Sequence, residues 1–160
     1  ATPGTISRPY TQKLIDEFAP DCKIVRIGSS EMVWMAEKQL REGMIDNTEL
    51  HRILAPLRDA IVHDKLDTVV LACTHFPLLT DQLNEQLPEV KHWVDSGKAI
   101  AQRVVWCLAQ RQDIKPQPDP LPANLALFTR LDNHARELER ALSYFRIREM
   151  RQLDLPLTDL

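Results

Sequence analysis

Contiguous apolar runs alternate along this chain with apolar residues spaced three and four apart, the pattern of strands exchanging with helices. Ala1-Thr2-Pro3-Gly4-Thr5 is a string of turn formers and reads as a loop. Ser7 can cap a helix that starts near Pro9 and carries Leu14, Ile15 and Phe18 on one face. Asp21 to Gly28 contains a strand, with Ile24, Val25 and Ile27 apolar. Ser30 to Arg41 places Val33, Met35, Ala36 and Leu40 at roughly helical spacing. Asn47 to His63 is a longer helix with the stripe Leu50, Ile53, Leu54, Leu57 and Ile61. Pro56 inside it predicts a kink or a break into two helices.

Asp67-Thr68-Val69-Val70 leads into a short β-branched and apolar run that ends at Cys73 and reads as a buried strand of a parallel sheet. Pro77 to Leu87 reads as the helix after it, Val90 to Val94 as another strand, and Ala99 to Gln110 as a strongly helical segment. Lys115 to Pro122 holds four prolines and can form neither helix nor central strand, so an exposed linker or long loop is expected over 115–122. Leu125 to Thr129 reads as a strand, Asn133 to Phe145 as a helix, and Met150 to Leu155 as a final edge strand. This order implies an α/β architecture with a parallel or mixed sheet.

Composition narrows the function classes. A chain of 160 residues suffices for one domain with a real core or for parts of two. Its net charge of −3, with no dense Lys/Arg block, argues against nucleic acid as a partner. No apolar stretch approaches the ~20 residues needed to cross a bilayer, and no signal peptide is visible at the N-terminus. Cys22, Cys73 and Cys107 are odd in number and have no CxxC spacing, which argues against a disulfide framework and a zinc site and fits a reducing, cytoplasmic setting. The five histidines form no HxxxH pair on a predicted helix, which leaves a metal site little support, and there is neither a GxGxxG nor a GxxxxGK[ST] run, so nucleotide binding has none.

The chemistry concentrates at Leu71-Ala72-Cys73-Thr74-His75-Phe76-Pro77-Leu78-Leu79. Ligands of parallel sheets bind beyond the carboxyl ends of the strands, which is where Cys73 falls. A helix N-terminus beside a thiol favours its anion, and His75 can exchange a proton with it. A free cysteine is more often a small buried hydrophobe, but such a residue belongs within the apolar run and not at its polar exit. Residue chemistry alone leaves both readings open.

Ala72-Cys73-Thr74-His75-Phe76-Pro77-Leu78-Leu79 resembles the second catalytic-cysteine motif of bacterial glutamate racemases. Ala1-Thr2-Pro3-Gly4-Thr5, with Ser7, Pro9 and Tyr10, is similar to that family's mid-chain threonine-rich loop. Gly28-Ser29-Ser30-Glu31-Met32-Val33 and Val94-Asp95-Ser96-Gly97-Lys98-Ala99-Ile100-Ala101 resemble further segments in the same order. The resemblance runs to about Ala109 and weakens beyond. Aspartate and hydantoin racemases share the fold, and His75 after the Cys-Thr pair points to the glutamate branch.

The resemblance implies a parallel-sheet αβα sandwich and a cofactor-independent racemase that supplies D-glutamate for peptidoglycan, and so serves cell-wall biogenesis and cell shape. Two cysteines face opposite sides of the substrate α-carbon, one removing a proton and the other delivering one. Carried over by position, Cys73 would be one of them, the residue that deprotonates L-glutamate. Thr74 and His75 would contact substrate, His75 would also assist Cys73, and Glu37 would orient His75. Thr2 and Thr5 would donate to a substrate carboxylate, whereas Asp95 and Ser96 would close a turn and bind nothing. The family also implies a homodimer and, in some members, a UDP-muramoyl-peptide activator.

Such racemases begin with an Asp-Ser-Gly-rich loop and hold their first catalytic cysteine in an Asn-Thr-Ala-Ser setting. Neither run stands in this sequence, and Cys22 and Cys107 read as structural. The expected organisation is residues 1–92 as the second racemase domain lacking its first strand, and 93–160 as a C-terminal segment that would complete the first domain. On that reading the chain carries one of two catalytic cysteines and is inactive alone. Two other classes remain: a non-catalytic binding or regulatory fragment, and a single-cysteine thiol enzyme with Cys73 as nucleophile and His75 as base.

Overall fold

A computed structural model describes residues 1–111 and 124–153. The expected Pro-rich loop at 115–122 and the end of the last expected strand lie outside them. In chain order the helices are α1 (Pro3–Ile6), α2 (Pro9–Phe18), α3 (Glu31–Glu42), α4 (Asn47–Ile53), α5 (Ala55–Asp64), α6 (Thr80–Gln86), α7 (Gly97–Ala109), α8 (Asn133–Arg136) and α9 (Glu139–Tyr144). The strands are β1 (Thr68–Val70), β2 (His92–Val94), β3 (Asn124–Phe128) and β4 (Ile147–Gln152), and a 3-10 turn spans Phe76–Leu79. β1 pairs parallel with β2, and β3 parallel with β4, as two separate two-stranded sheets. This is an α/β fold with parallel strands.

One core gathers the elements from α3 to the approach to β2. Met32, Met35 and Ala36 from α3 meet Leu50, Ile53, Leu54 and Leu57 from the next two helices. Val69 and Leu71 join from the β1 region, with Phe76, Leu79, Leu83, Leu87 and Val90 from the connection to β2. Each fully buried leucine contributes roughly 2 kcal/mol through the apolar surface it removes from water. Pro56 does break the long helix: Leu54 ends α4 and caps α5, so the apolar stripe continues across two rods.

Several elements differ from expectation. Pro3–Ile6 is a short helix, because Pro3 at its first position suits a helix start as well as a turn. Ser7 does not cap α2: Arg8 occupies the cap position, and the Ser7 hydroxyl donates to the Gly4 carbonyl at 3.2 Å. Residues 23–29 form no strand, for among the described residues their backbone meets only Ala1, which donates to Ile27 O at 3.0 Å and accepts from Ser29 N at 2.9 Å. A ladder needs a longer partner.

The helix expected at Pro77–Leu87 opens as the 3-10 turn and becomes α-helical only at Thr80. The helix expected over 133–145 divides at Glu137-Leu138 into α8 and α9. β4 begins earlier than expected, at Ile147, directly after Arg146 at φ 61°.

β1 is only half buried. Val69 points to the core, while Val70 and its register partner Val94 are both exposed. Strand side chains alternate between faces, and among the described residues only one face of this sheet is covered. No residue of α2 or α7 is buried, so Phe18, Val104, Val105, Trp106 and Leu108 all face outward. No helix among the described residues is long and apolar enough to cross a membrane.

Candidate active site

The site is assembled where β1 ends. Leu71 N donates to Val94 O at 2.8 Å and extends the β1–β2 pairing by one bond, after which the chain turns out of the sheet. Phe76 N donates to Cys73 O at 3.2 Å, Leu78 N to His75 O at 3.1 Å, and the Thr80 hydroxyl to Pro77 O at 2.8 Å, closing the turn on itself. Phe76 and Leu79 pin it to the core, 3% and 0% exposed. Cys73 and His75 are thereby held half-buried at the carboxyl end of a parallel strand.

α3 packs directly on this turn. Its Met32, Met35 and Ala36 face the core, and Glu37 follows on the flank that borders the turn. His75 Nε2 donates to Glu37 Oε1 at 3.0 Å, and His75 Nδ1 lies 3.9 Å from Cys73 Sγ. An ionised carboxylate only accepts, so Nε2 carries the proton of that contact and Nδ1 is turned to the sulfur. The other Glu37 oxygen, Oε2, accepts from Arg41 Nη2 at 2.6 Å. Thiol, imidazole, carboxylate and guanidinium thus stand in one line.

An open cleft of about 440 Å³ lies beside the thiol, lined by Val70, Ala72, Cys73 and Thr74 from one strand end and by Asp95 and Ser96 from the other. The cleft is the notch between the carboxyl ends of β1 and β2, and its lining is mostly apolar. Among the described residues no three His, Cys, Asp or Glu side chains are grouped to hold a metal ion.

The structure brings together Cys73, His75 and Glu37, with exposed Thr74 on the cleft wall. Thr2 and Thr5 do not line that cleft; their hydroxyls are 2.9 Å apart and bonded to each other. Cys22 and Cys107 are exposed and lie outside it. Sequence reasoning passed over Arg41, whose i+4 spacing from Glu37 was the available signal. It also treated Asp95 and Ser96 as turn residues alone, where the structure sets them on the cleft wall.

No family model matches the chain. Glutamate racemase of Haemophilus ducreyi is 42% identical over 137 residues, 86% of this chain and 50% of that protein. Glutamate racemase of Proteus mirabilis is 39% identical over 155 residues, 97% and 52% of the two chains. The chain belongs to the glutamate racemase family. Glutamate racemase of Shewanella loihica is 51% identical over a shorter stretch of 105 residues, 66% of this chain and 38% of that one. A crystal structure of Escherichia coli glutamate racemase, in complex with L-glutamate and the activator UDP-MurNAc-Ala, superposes with a TM-score of 0.80 at 39% identity. The match covers 95% of this chain and 55% of the other. The chain spans about half the length of the curated glutamate racemases it matches.

Proposed function

We propose that this chain supplies one side of a glutamate racemase site, with Cys73 as the acid/base that removes the α-proton of L-glutamate. The second acid/base is a cysteine on the opposite side of the α-carbon, outside this chain. The single observation that carries the reading is the line Cys73–His75–Glu37 opening on the cleft. His75 takes the thiol proton at Nδ1 while Glu37 holds its Nε2–H, and Cys73 Sγ then accepts the substrate proton. Thr74 and His75 contact the bound amino acid. Thr2 and Thr5 are donors to a substrate carboxylate once their mutual bond opens.

The reading extends to the division of the chain, with residues 1–92 as a second domain and 93–160 as a segment that completes a first. It includes a cytoplasmic homodimer, a role in peptidoglycan synthesis, catalysis with no cofactor, and activation by a UDP-muramoyl peptide like the one bound to the Escherichia coli protein.

The test is proton NMR of L- and D-glutamate in D₂O with this chain, beside a Cys73→Ser control. The chain alone is expected to leave the α-proton in place. Adding the part of a family member's polypeptide that this chain does not span is expected to start wash-out with inversion, abolished by Cys73→Ser. Inversion by the chain alone would overturn the one-cysteine reading. Exchange that survives Cys73→Ser would overturn the assignment of Cys73.

A further inference from the structure

We infer that Arg41 is a positioning residue for this site, acting through Glu37 to set which nitrogen of His75 faces Cys73. Glu37 reaches His75 on three rotatable bonds and is 31% exposed, so without a second anchor its carboxylate can swing away and free His75 Nε2. Arg41, one helical turn further along α3, removes that freedom. Its Nη2 holds Oε2 at 2.6 Å and leaves Oε1 for His75 Nε2 at 3.0 Å. Both side chains of the ion pair are withdrawn from solvent, 21% and 31% exposed, so the pair is screened less than a surface pair would be.

Arg41 is itself held from a third direction. Its Nε is buried without a hydrogen bond, and 4.0 Å away lies Oε2 of Glu137, in the turn between α8 and α9. Among the described residues the ion pairs of Glu37 are to Arg41 and His75. His134 Nδ1 lies 3.3 Å from Glu137 Oε2, and Arg52 of α4 pairs with Glu31 at the far end of α3. Arg140 of α9 lies against Gly43 beyond the C-terminus of α3. Arg41 is therefore the cation that the geometry gives to Glu37.

The inference rests on the proposed roles of Cys73 and His75, and its test reads the imidazole directly. In the full chain labelled with ¹⁵N-histidine, long-range ¹H–¹⁵N spectra distinguish a ring protonated at Nε2 from a mixture of tautomers, with His75 assigned by His75→Gln. The expected result is an Nε2–H signature in the wild type. Arg41→Gln and Arg41→Met should each give the averaged nitrogen shifts of mixed tautomers, and Arg41→Lys should restore the wild-type signature. Should Arg41→Gln fail to fold by circular dichroism, Arg41→Met carries the same reading. A folded, uncharged variant whose His75 shifts match wild type overturns the inference. A shift in tautomer without any glutamate turnover in the complemented assay would sink the racemase reading and leave this one standing.

Discussion

Glu37 Oε1 accepts from His75 Nε2 at 3.0 Å across 38 residues of sequence, and this contact orients the imidazole toward Cys73. If it serves proton transfer, the two residues differ in what their loss does. His75→Asn removes the proton relay and should lower α-proton exchange in the complemented assay by about 10²-fold or more, the lower end of general acid–base contributions. Glu37→Gln can still accept from Nε2 but loses the negative charge, so its loss should be smaller, roughly 10-fold. Equal losses, measured as initial rates in D₂O, would mean that Glu37 does more than orient the ring.

Leu79 anchors the turn that carries Cys73 and His75 and is fully buried. Leu79→Ala should cost about 2–5 kcal/mol of stability in urea unfolding, the transfer term plus the cavity left behind. Val105→Ala, on the exposed face of α7 and 67% accessible, should stay within about 0.5 kcal/mol of wild type. A similar cost at both positions would show that α7 is packed in solution.

Gly43 ends α3 at φ 73°, donating its N–H to Gln39 O at 2.9 Å. A Cβ there would enter the left-handed region and stand 3.2 Å from Arg140 Nη1. Gly43→Ala should therefore destabilise the chain by about 1 kcal/mol, mostly as backbone strain, since the guanidinium can swing aside. Chemical denaturation measures it, and an unchanged midpoint would show that this end of α3 frays.

Asp46 accepts from Thr48 N at 2.8 Å and Glu49 N at 3.3 Å at the start of α4, and these backbone bonds, Thr48 first, hold its carboxyl below the usual range. A carboxyl lowered on folding stabilises above its unfolded-state value, and the contribution fades as pH falls through the folded-state value. Asp46→Asn caps without titrating. Wild type should therefore lose thermal stability more steeply than the variant between pH 5 and the acid limit, while the two stay close near neutrality. Parallel curves would remove Asp46 from the acid transition.

Much of this protein is legible in one dimension. The apolar stripe Leu50, Ile53, Leu54 and Leu57 marks the buried faces of α4 and α5, and Pro56 marks the break between them, because helix periodicity and the missing proline N–H are local properties. The strand that ends before Cys73 and the reactive-looking exit after it are legible for the same reason. The spacing of Leu14, Ile15 and Phe18 is equally helical and α2 forms, yet it buries nothing, since periodicity reports a face and not the neighbour that covers it.

Tertiary structure alone decided the rest. It put Asp95 and Ser96 on the cleft wall with Cys73 and turned Thr2 and Thr5 toward each other, and it made the Glu37–His75 contact that residue spacing did not carry and only the family resemblance implied. It left residues 23–29 without a strand and Val70 without a cover. A strand exists only where a second backbone completes its hydrogen bonds, and a site only where separate elements arrive at one point. Residue type and spacing along the chain carry the propensities; long-range contacts determine which of them are met.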